Sequence, residues 1–332
     1  MASVLEIESL LEEHGVSPNE KLGQNFVIDK GVIRYMASLV LNGAHVIEVG
    51  AGTGNLTNAL AKVASSVTSL EIDQKFEPFL TKVQKENGNV DVRYANVLDT
   101  GLAEFIEPEI TQAISNLPFH IIEPMIWLLA DSEILNAVLM IGDNAAGLLL
   151  AEETDGIYGR MSFIAQTFFV IEHLLTVSKD SFYPCPRTDS AIVRMTPKEE
   201  SQISASASNF IFARLVKTAT HSQLVENVIK EAIVARSEIA GRGTLDKQES
   251  HQRDRAVVRR QTKGWVQQWN TYGDIAQSED RERGAIDQSR ALQIIANMRL
   301  GQDILERSFM SLDNPGIREL VAGVRLVFEL GY

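Results

Sequence analysis

The feature that most constrains this chain is a glycine-rich turn between an apolar segment and the residues that follow it. Residues 45–49 are apolar apart from the two ends, and glycines follow at Gly50, Gly52 and Gly54. Glycine lets the backbone turn tightly, and it lets a ligand approach without meeting a Cβ atom. The next apolar segment begins at Leu56. The pattern predicts a buried strand, a tight turn and a helix, with a ligand site at the turn.

Two acidic residues indicate which ligand this turn could hold. Glu71 ends the next apolar strand, just before Ile72, about twenty residues past the turn, where an acid can accept hydrogen bonds from ribose hydroxyls. The G-x-G-x-G spacing differs from the G-x-G-x-x-G of dinucleotide sites, and Glu48 stands two residues before the first glycine. A carboxylate there would repel a pyrophosphate but suits a positively charged cofactor. We therefore favour S-adenosylmethionine (AdoMet) over a turn that binds nothing.

Length and cysteine content limit the class of protein. The chain has 332 residues, which suggests two domains or one domain with a large appendage. Its one cysteine, Cys185, excludes an intramolecular disulfide and favours a reducing compartment. The acidic N-terminal segment has no signal-peptide pattern, and no apolar run is long enough to cross a membrane. We therefore expect a cytoplasmic protein without membrane contact.

The charge of the chain is unevenly distributed. The whole chain carries a formal charge of −13. Residues 1–199 hold 13 Lys and Arg against 27 Asp and Glu, whereas residues 200–332 hold 18 against 17. An acidic N-terminal half does not favour a polyanion, so any nucleic-acid substrate must bind in spite of this charge.

Alternation of strands and helices continues to about residue 196. The predicted strands lie near 45–49, 67–71, 91–95, 111–115 and 137–141, with 164–176 and 189–196 as the last two, and the first helices cover 3–14 and 30–41. This order predicts a mostly parallel sheet with helices on both faces. Ligands of such sheets lie at the carboxyl ends of the strands. The turn at 50–54, Glu71, Asn96 and Asn116 all fall at predicted strand ends, so we expect them to converge.

The C-terminal part has a different composition. Residues 199–208 are small and polar and are predicted to form a linker. Helical patterns follow at 209–236, about 284–309 and 314–330, with an unusual insertion at 241–283. The insertion interleaves basic residues, including Arg259 and Arg260, with tryptophans. That mixture suits RNA binding, although a solvated helix with two core tryptophans explains it equally well.

The segment Asn116-Leu117-Pro118-Phe119 carries the most specific chemistry. An Asn oxygen and a nearby backbone carbonyl can accept both hydrogens of an exocyclic amine, and Pro118 offers no competing N–H. Phe119 offers a face on which a planar base can stack. Holding both N–H groups concentrates lone-pair density on the nitrogen, which prepares it to attack a methyl group. The alternative is a capped turn with a core Phe.

With these motifs in order, the chain resembles the KsgA-type ribosomal RNA adenine dimethyltransferases, within them the archaeal and eukaryotic-type branch. The resemblance covers about residues 5–198. Its motifs are Leu22-Gly23-Gln24-Asn25-Phe26, the glycine-rich turn at 48–57, Asn116-Leu117-Pro118-Phe119, Tyr158-Gly159-Arg160-Met161-Ser162 and the Phe-x-Pro-x-Pro-x-x-Asp-Ser-Ala pattern at 182–191.

The resemblance implies an α/β fold: a Rossmann-like AdoMet-dependent methyltransferase domain at 1–198 and a smaller helical domain at 209–332. It implies transfer of two methyl groups to each of two adjacent adenosines near the 3′ end of small-subunit rRNA. The chemistry expected at Asn116 needs no metal, and the oligomeric state stays open, with a monomer as the default. The implied cofactor residues are Gln24, Asn25, Val27, Glu48, Gly50, Gly52, Glu71, Ile72, Asn96 and Asn116. Catalysis is assigned to Asn116, Pro118 and Phe119, and substrate binding to Phe119, Phe182, Arg259 and Arg260.

Three departures from the family pattern keep other functions open. Asn96 stands where the family usually has Asp, residues 142–144 read Gly-Asp-Asn in place of a Gln-Lys-Glu-like run, and the C-terminal domain is longer than usual. The protein could instead be a ribosome-assembly or nucleic-acid-binding factor, as the transcription factors among the family's mitochondrial relatives are. A third interpretation is a large-subunit rRNA methyltransferase like the Erm group. Retention of Glu71 and of residues 116–119 argues against the binding factor, and the sequences at 116–119 and 158–162 favour the small-subunit enzyme over the Erm group.

Overall fold

A computed structural model of the chain describes residues 4–106, 110–130, 132, 134–199, 211–213, 215, 224–242, 288–307 and 309–328. The chain divides into two compact units. Unit 1 comprises Met1–Ala151 and Phe169–Pro197, and unit 2 comprises Glu152–Phe168 and Lys198–Tyr332. This division differs from the predicted one because the segment Glu152–Phe168 belongs to unit 2. Most of the predicted linker and of the 241–283 insertion, with Arg259 and Arg260, lies outside the described residues.

Unit 1 is built on a seven-stranded sheet with the order β4-β3-β2-β5-β6-β9-β7. Strands β2 to β6 run parallel, and β9 is antiparallel to both of its neighbours. The strands are β2 (His45–Val49), β3 (Ser66–Glu71), β4 (Val90–Tyr94), β5 (Ile110–Asn116), β6 (Asn136–Gly142), β7 (Phe169–Val177) and β9 (Ser190–Pro197). Two short strands, β1 (Phe26–Val27) and β8 (Phe182–Tyr183), pair separately.

Helices connect these strands, so the predicted α/β class is confirmed. In unit 1 they are α1 (Val4–Glu13), α2 (Lys30–Ser38), α3 (Asn55–Leu60), α4 (Glu77–Glu86), α5 (Val97–Thr100), α6 (Ile122–Ala130) and α7 (Asp143–Leu150). Short 3-10 turns lie at Glu20–Leu22, Gln74–Phe76, Leu102–Glu104, Phe119–Ile121 and Lys179–Ser181.

One strand prediction was wrong at its start. Residues 164–168 belong to helix α8 (Arg160–Phe168), and strand β7 begins only at Phe169. Phe163, Ile164 and Ala165 are three consecutive apolar residues, and all three are buried. A short continuous apolar run does not distinguish a buried helix from a buried strand, which is why the pattern failed here.

Unit 2 is helical in its described residues. It contains α8, α9 (Val225–Arg242), α10 (Gln288–Asn297), α11 (Gln302–Leu305) and α12 (Asn314–Phe328), with a 3-10 turn at Phe309–Ser311. Its core includes Phe163, whose ring centroid lies 5.1 Å from that of Phe212 and 5.3 Å from that of Phe309. An ion pair of 2.5 Å joins Arg325 to Glu153. Among the described helices of the chain, none is both long and apolar enough to cross a bilayer.

A buried side-chain amide holds the loop between α2 and β2 against the central strands. Gln112 of β5 is fully buried, and its Oε1 accepts a hydrogen bond from the Leu41 N–H at 2.8 Å. Its Nε2 donates to the Leu39 carbonyl at 2.9 Å and to Asn136 Oδ1 at 3.0 Å. The amide thereby ties the loop after α2 to the edge from which β5 and β6 begin.

We predict that Gln112→Leu destabilises the protein by about 2–4 kcal/mol, because it removes three hydrogen bonds and leaves the buried Asn136 Oδ1 without this donor. Urea unfolding of the variant checks this. Gln74→Leu is the matched control, since Gln74 is exposed. An equal, small effect of both substitutions would contradict the prediction.

Candidate functional site

The carboxyl ends of the parallel strands open into one cavity of about 300 Å³, and all its lining residues belong to unit 1. It is lined by segments that are far apart in the sequence: 22–27, 48–53, 55–56, 70–72, 95–98 and 116–121, with Phe182, Pro186 and Ser190. The predicted convergence of the glycine-rich turn with Glu71, Asn96 and Asn116 therefore matches the geometry of the fold.

The glycine-rich turn forms one wall of the cavity. Gly50, Gly52 and Gly54 have φ values of 81°, 51° and 74°, which side chains rarely tolerate. The Gly50 N–H donates to the Leu70 carbonyl at 2.8 Å, which holds the turn against the end of β3. A Cβ on Gly52 would lie 3.0 Å from the Phe26 ring. The turn therefore needs glycine both for its backbone and for space.

Glu71 fastens this turn to the neighbouring strand. Its Oε2 accepts from the Gly52 N–H at 2.7 Å, and its Oε1 accepts from the Asp73 N–H at 2.8 Å. The side chain is buried, and this burial raises the pKa of its carboxyl. Each carboxylate oxygen has a further lone pair, so Glu71 can still accept hydrogen bonds from a ligand in the cavity.

Glu48 lies behind the turn, at the floor of the cavity. It is 1% exposed, and its Oε2 accepts from the hydroxyls of Thr57 at 2.5 Å and Ser69 at 2.7 Å. Burial raises the pKa of Glu48 to about 7, the two hydroxyl hydrogen bonds partly offset this, and the nearby Glu71 charge adds to it. An ionised Glu48 is therefore destabilising unless a positive charge is close.

The loop before β1 closes the cavity, and its polar groups mostly hold the loop itself. Gln24 Oε1 accepts from the Asn19 N–H at 2.8 Å, and Gln24 Nε2 donates to Asp73 Oδ2 at 3.1 Å. The Val27 side chain is buried, and its carbonyl accepts from Asn55 Nδ2 at 3.3 Å. Gln24 and Val27 thus lie at the cavity, but these polar groups are engaged within the protein.

A second group of predicted residues lies at the ends of β3 and β4. Asn96 caps helix α5: its Oδ1 accepts from the Leu98 N–H at 3.2 Å, and its Nδ2 donates to Asp99 Oδ2 at 2.8 Å. Ile72 is 50% exposed at the cavity. Sequence reasoning missed Leu98 and Phe26, which also line it. An apolar residue just past a strand end is the signal that could have identified Leu98.

The segment that begins at Asn116 lies beside the turn, because β5 pairs with β2. Asn116 Nδ2 donates to the Asn25 carbonyl at 3.0 Å, which directs the oxygen of the same carboxamide the other way. The Leu117 N–H donates to the Met140 carbonyl at 2.9 Å and fixes the backbone beside it. Phe119 is 46% exposed, with part of its ring free. The site therefore combines an oriented amide acceptor with an accessible aromatic ring.

Phe182 differs from Phe119 in its environment. It lines the cavity but is only 3% exposed, and it packs in the hydrophobic cluster that includes Val27, Ile33 and Ile192. Its pairing with Val27 across β1 and β8 holds it there. Its burial leaves little of the ring free to stack on a base, so Phe182 forms a wall of the cavity.

We predict that Glu48→Gln changes how stability depends on pH. The raised pKa means that the folded wild type holds a proton that the unfolded chain releases above pH 4.5, so its stability falls as pH rises toward about 7. Between pH 5.5 and 8 the ligand-free wild type should lose about 2 kcal/mol more than Glu48→Gln. Urea unfolding at both pH values measures this, and parallel curves for the two proteins would contradict it.

The described residues contain no group of three or more His, Cys, Asp or Glu side chains placed to hold a metal ion.

Residues 15–249 match the family model described as "Ribosomal RNA adenine dimethylase". A "Ribosomal RNA small subunit methyltransferase A" of Streptococcus thermophilus is 30% identical over 214 residues, which are 62% of this chain and 74% of that protein. The protein of the same name from Bacillus cereus is 31% identical over 214 residues, 62% and 73% of the two chains.

A dimethyladenosine transferase from Plasmodium falciparum has a similar solved structure. The alignment covers 89% of this chain and 96% of that one, with a TM-score of 0.51 and 21% sequence identity, so it supports the fold alone. The family model covers more than half of the chain, and its match includes the glycine-rich turn and the segment that begins at Asn116. The chain therefore belongs to the ribosomal RNA adenine dimethylase family.

Proposed function

We propose that this protein transfers methyl groups from AdoMet to the N6 amine of adenosines in small-subunit rRNA and forms dimethyladenosine. The observation that carries this proposal is the position of Asn116, whose carboxamide is fixed by the Asn25 carbonyl in the same cavity as the glycine-rich turn. A cofactor site and an amine-binding group share one space there. The names of the relatives support rRNA of the small subunit as the substrate.

The cavity suits AdoMet. A Cβ at Gly52 would crowd the Phe26 ring, so the backbone of the turn is left bare toward a ligand. Glu71 keeps lone pairs that can accept hydrogen bonds from the ribose hydroxyls of the cofactor. The buried Glu48 carboxylate supplies negative charge close to a cofactor that carries a sulfonium and an ammonium. When bound, AdoMet supplies an electrophilic methyl group. Ile72 and Leu98 offer exposed apolar surface at the cavity for the cofactor's adenine.

Asn96 stands at a cofactor position where the family usually has Asp. Its amide oxygen caps α5, and the nitrogen of the same amide is held by Asp99. That orientation keeps the oxygen as the acceptor, with a second lone pair for the exocyclic amine of the cofactor's adenine. We propose that Asn96 binds the cofactor through this oxygen, without the negative charge that an Asp would add.

The target amine is held by Asn116 and its neighbours. In free adenosine the lone pair of the N6 nitrogen is delocalised into the purine ring. Asn116 Oδ1 and the Leu117 carbonyl can accept the two N–H groups, which draws the lone pair back onto nitrogen and aims it at the methyl group. As the N–C bond forms, the bond from the methyl group to sulfur would break and leave a neutral thioether. The methylated nitrogen, now positively charged, then loses a proton to solvent. Pro118 offers no N–H to compete, and Phe119 stacks on the base.

The substrate is an unpaired adenosine turned into the cavity. Extruding an unpaired base requires less free energy than opening a base pair. The acidic N-terminal half offers little attraction to RNA, so the interactions that hold rRNA must come from elsewhere. Arg259 and Arg260 remain candidates from the sequence.

The proposal predicts dimethyladenosine when the protein acts on small ribosomal subunits that lack this modification. Purified protein and labelled AdoMet are incubated with such subunits, and the digested nucleosides are separated. Recovery of dimethyladenosine supports the enzyme. Cofactor binding without any methylated nucleoside would favour a binding or assembly role, and methylation of large-subunit RNA alone would favour the Erm-like alternative.

We further predict that Asn116→Ala lowers the methylation rate about 100-fold or more, since it removes an oriented acceptor that acts on the reacting nitrogen. Affinity for AdoMet, measured by calorimetry, should change by less than about threefold, because the cofactor is held chiefly by the turn and Glu71. Asn144→Ala is the matched control, as Asn144 is exposed and does not line the cavity. Equal loss of rate and of cofactor affinity would contradict this assignment.

A further inference from the structure

Gly142 lies directly beneath the ring of Phe119. It is the last residue of β6 and pairs with Ser190 of β9. A Cβ built on Gly142 would lie 2.7 Å from Cε1 of Phe119 and 3.1 Å from both Cδ1 and Cζ. Because these three adjacent ring atoms are at similar distances, the Cβ would meet the face of the ring and not its edge. The ring therefore rests on the bare backbone of Gly142.

The backbone at Gly142 does not itself require glycine. Its φ of −60° and ψ of 142° are ordinary extended values that any residue adopts. The three atoms nearest to a Cβ at residue 142 all belong to the Phe119 ring, so this ring is the closest obstacle to a side chain there. Pro118, with its fixed φ of −57°, and the 3-10 turn that follows restrict the backbone that carries Phe119.

We propose that Gly142 is a positioning residue. By carrying no side chain it lets the Phe119 ring lie close to the end of β6, which sets the space left for the target adenine. One face of the ring is supported by Gly142, and the 46% exposure of Phe119 leaves surface for a base. A side chain at residue 142 would push the ring along its normal, away from Gly142 and into the space for the base. This inference rests on the proposed function, because the base concerned is the adenosine that is methylated.

Gly142→Ala should therefore lower kcat/KM for the RNA about tenfold, since small displacements of positioning groups have large effects on rate. Affinity for AdoMet should stay within about twofold of the wild type, because Gly142 is not among the lining residues of the cavity. Gly147→Ala is the matched control: Gly147 lies in α7, and a Cβ there meets no atom within 4 Å.

A double-mutant cycle separates this role from a general structural effect. Phe119→Leu replaces the flat ring by a side chain that can rotate away from residue 142. In that background Gly142→Ala should change kcat/KM by less than about twofold, measured in single turnovers. A tenfold effect in both backgrounds, or no effect in the wild-type background while Gly147→Ala is also neutral, would overturn the proposal.

A second measurement does not depend on activity. In protein labelled with ¹³C at glycine Cα, the Gly142 resonance is identified by its loss in Gly142→Ala. Its Hα protons should be shifted upfield by the Phe119 ring, and Phe119→Leu should abolish that shift. An unshifted resonance would overturn the inference even if methylation is observed. A shifted resonance in a protein that methylates no RNA would instead count against the proposed function.

Discussion

The site depends most on the buried carboxylate of Glu71. It accepts the Gly52 N–H and the Asp73 N–H, so one side chain joins the turn after β2 to the end of β3. A buried carboxylate is stable only when its oxygens find donors, and here the donors are backbone groups of the two segments that meet a ligand. These protein hydrogen bonds therefore hold the turn in place at the edge where the parallel strands β2 to β5 end.

A second connection, from Asn116 to the Asn25 carbonyl, extends this arrangement to the amine side of the cavity. It joins the end of β5 to the loop before β1, and the pairing of β1 with β8 adds the segment at Phe182. The two connections bring the glycine-rich turn, which we propose holds the cofactor, and Asn116, which we propose accepts the amine, into one cavity. Glu48 opposes stability here, because its raised pKa reflects a carboxylate that is buried without a positive partner. A cationic cofactor would supply that partner.

Much of this arrangement could be predicted from sequence because local patterns determine it. The glycines at positive φ, the acid that ends β3 and the alternation of strands and helices each have a local signal. Other features depend on tertiary packing. The apolar run at 164–168 formed a helix, the Gln24 amide is engaged by Asn19 and Asp73, and Phe182 is buried. The contact between Phe119 and Gly142 depends on a side-chain orientation, which no spacing of residues reveals.

The most direct test of this account is a calorimetric titration of AdoMet into wild type and Glu71→Gln. An amide at this position turns a donor toward the Gly52 or Asp73 N–H and removes the charge that we propose binds the ribose. We predict that affinity falls by about 2 kcal/mol or more, roughly thirtyfold, in a variant that remains folded. Glu77→Gln, at an exposed position of α4, should bind as the wild type does. Unchanged affinity of Glu71→Gln would contradict the central role given to this carboxylate.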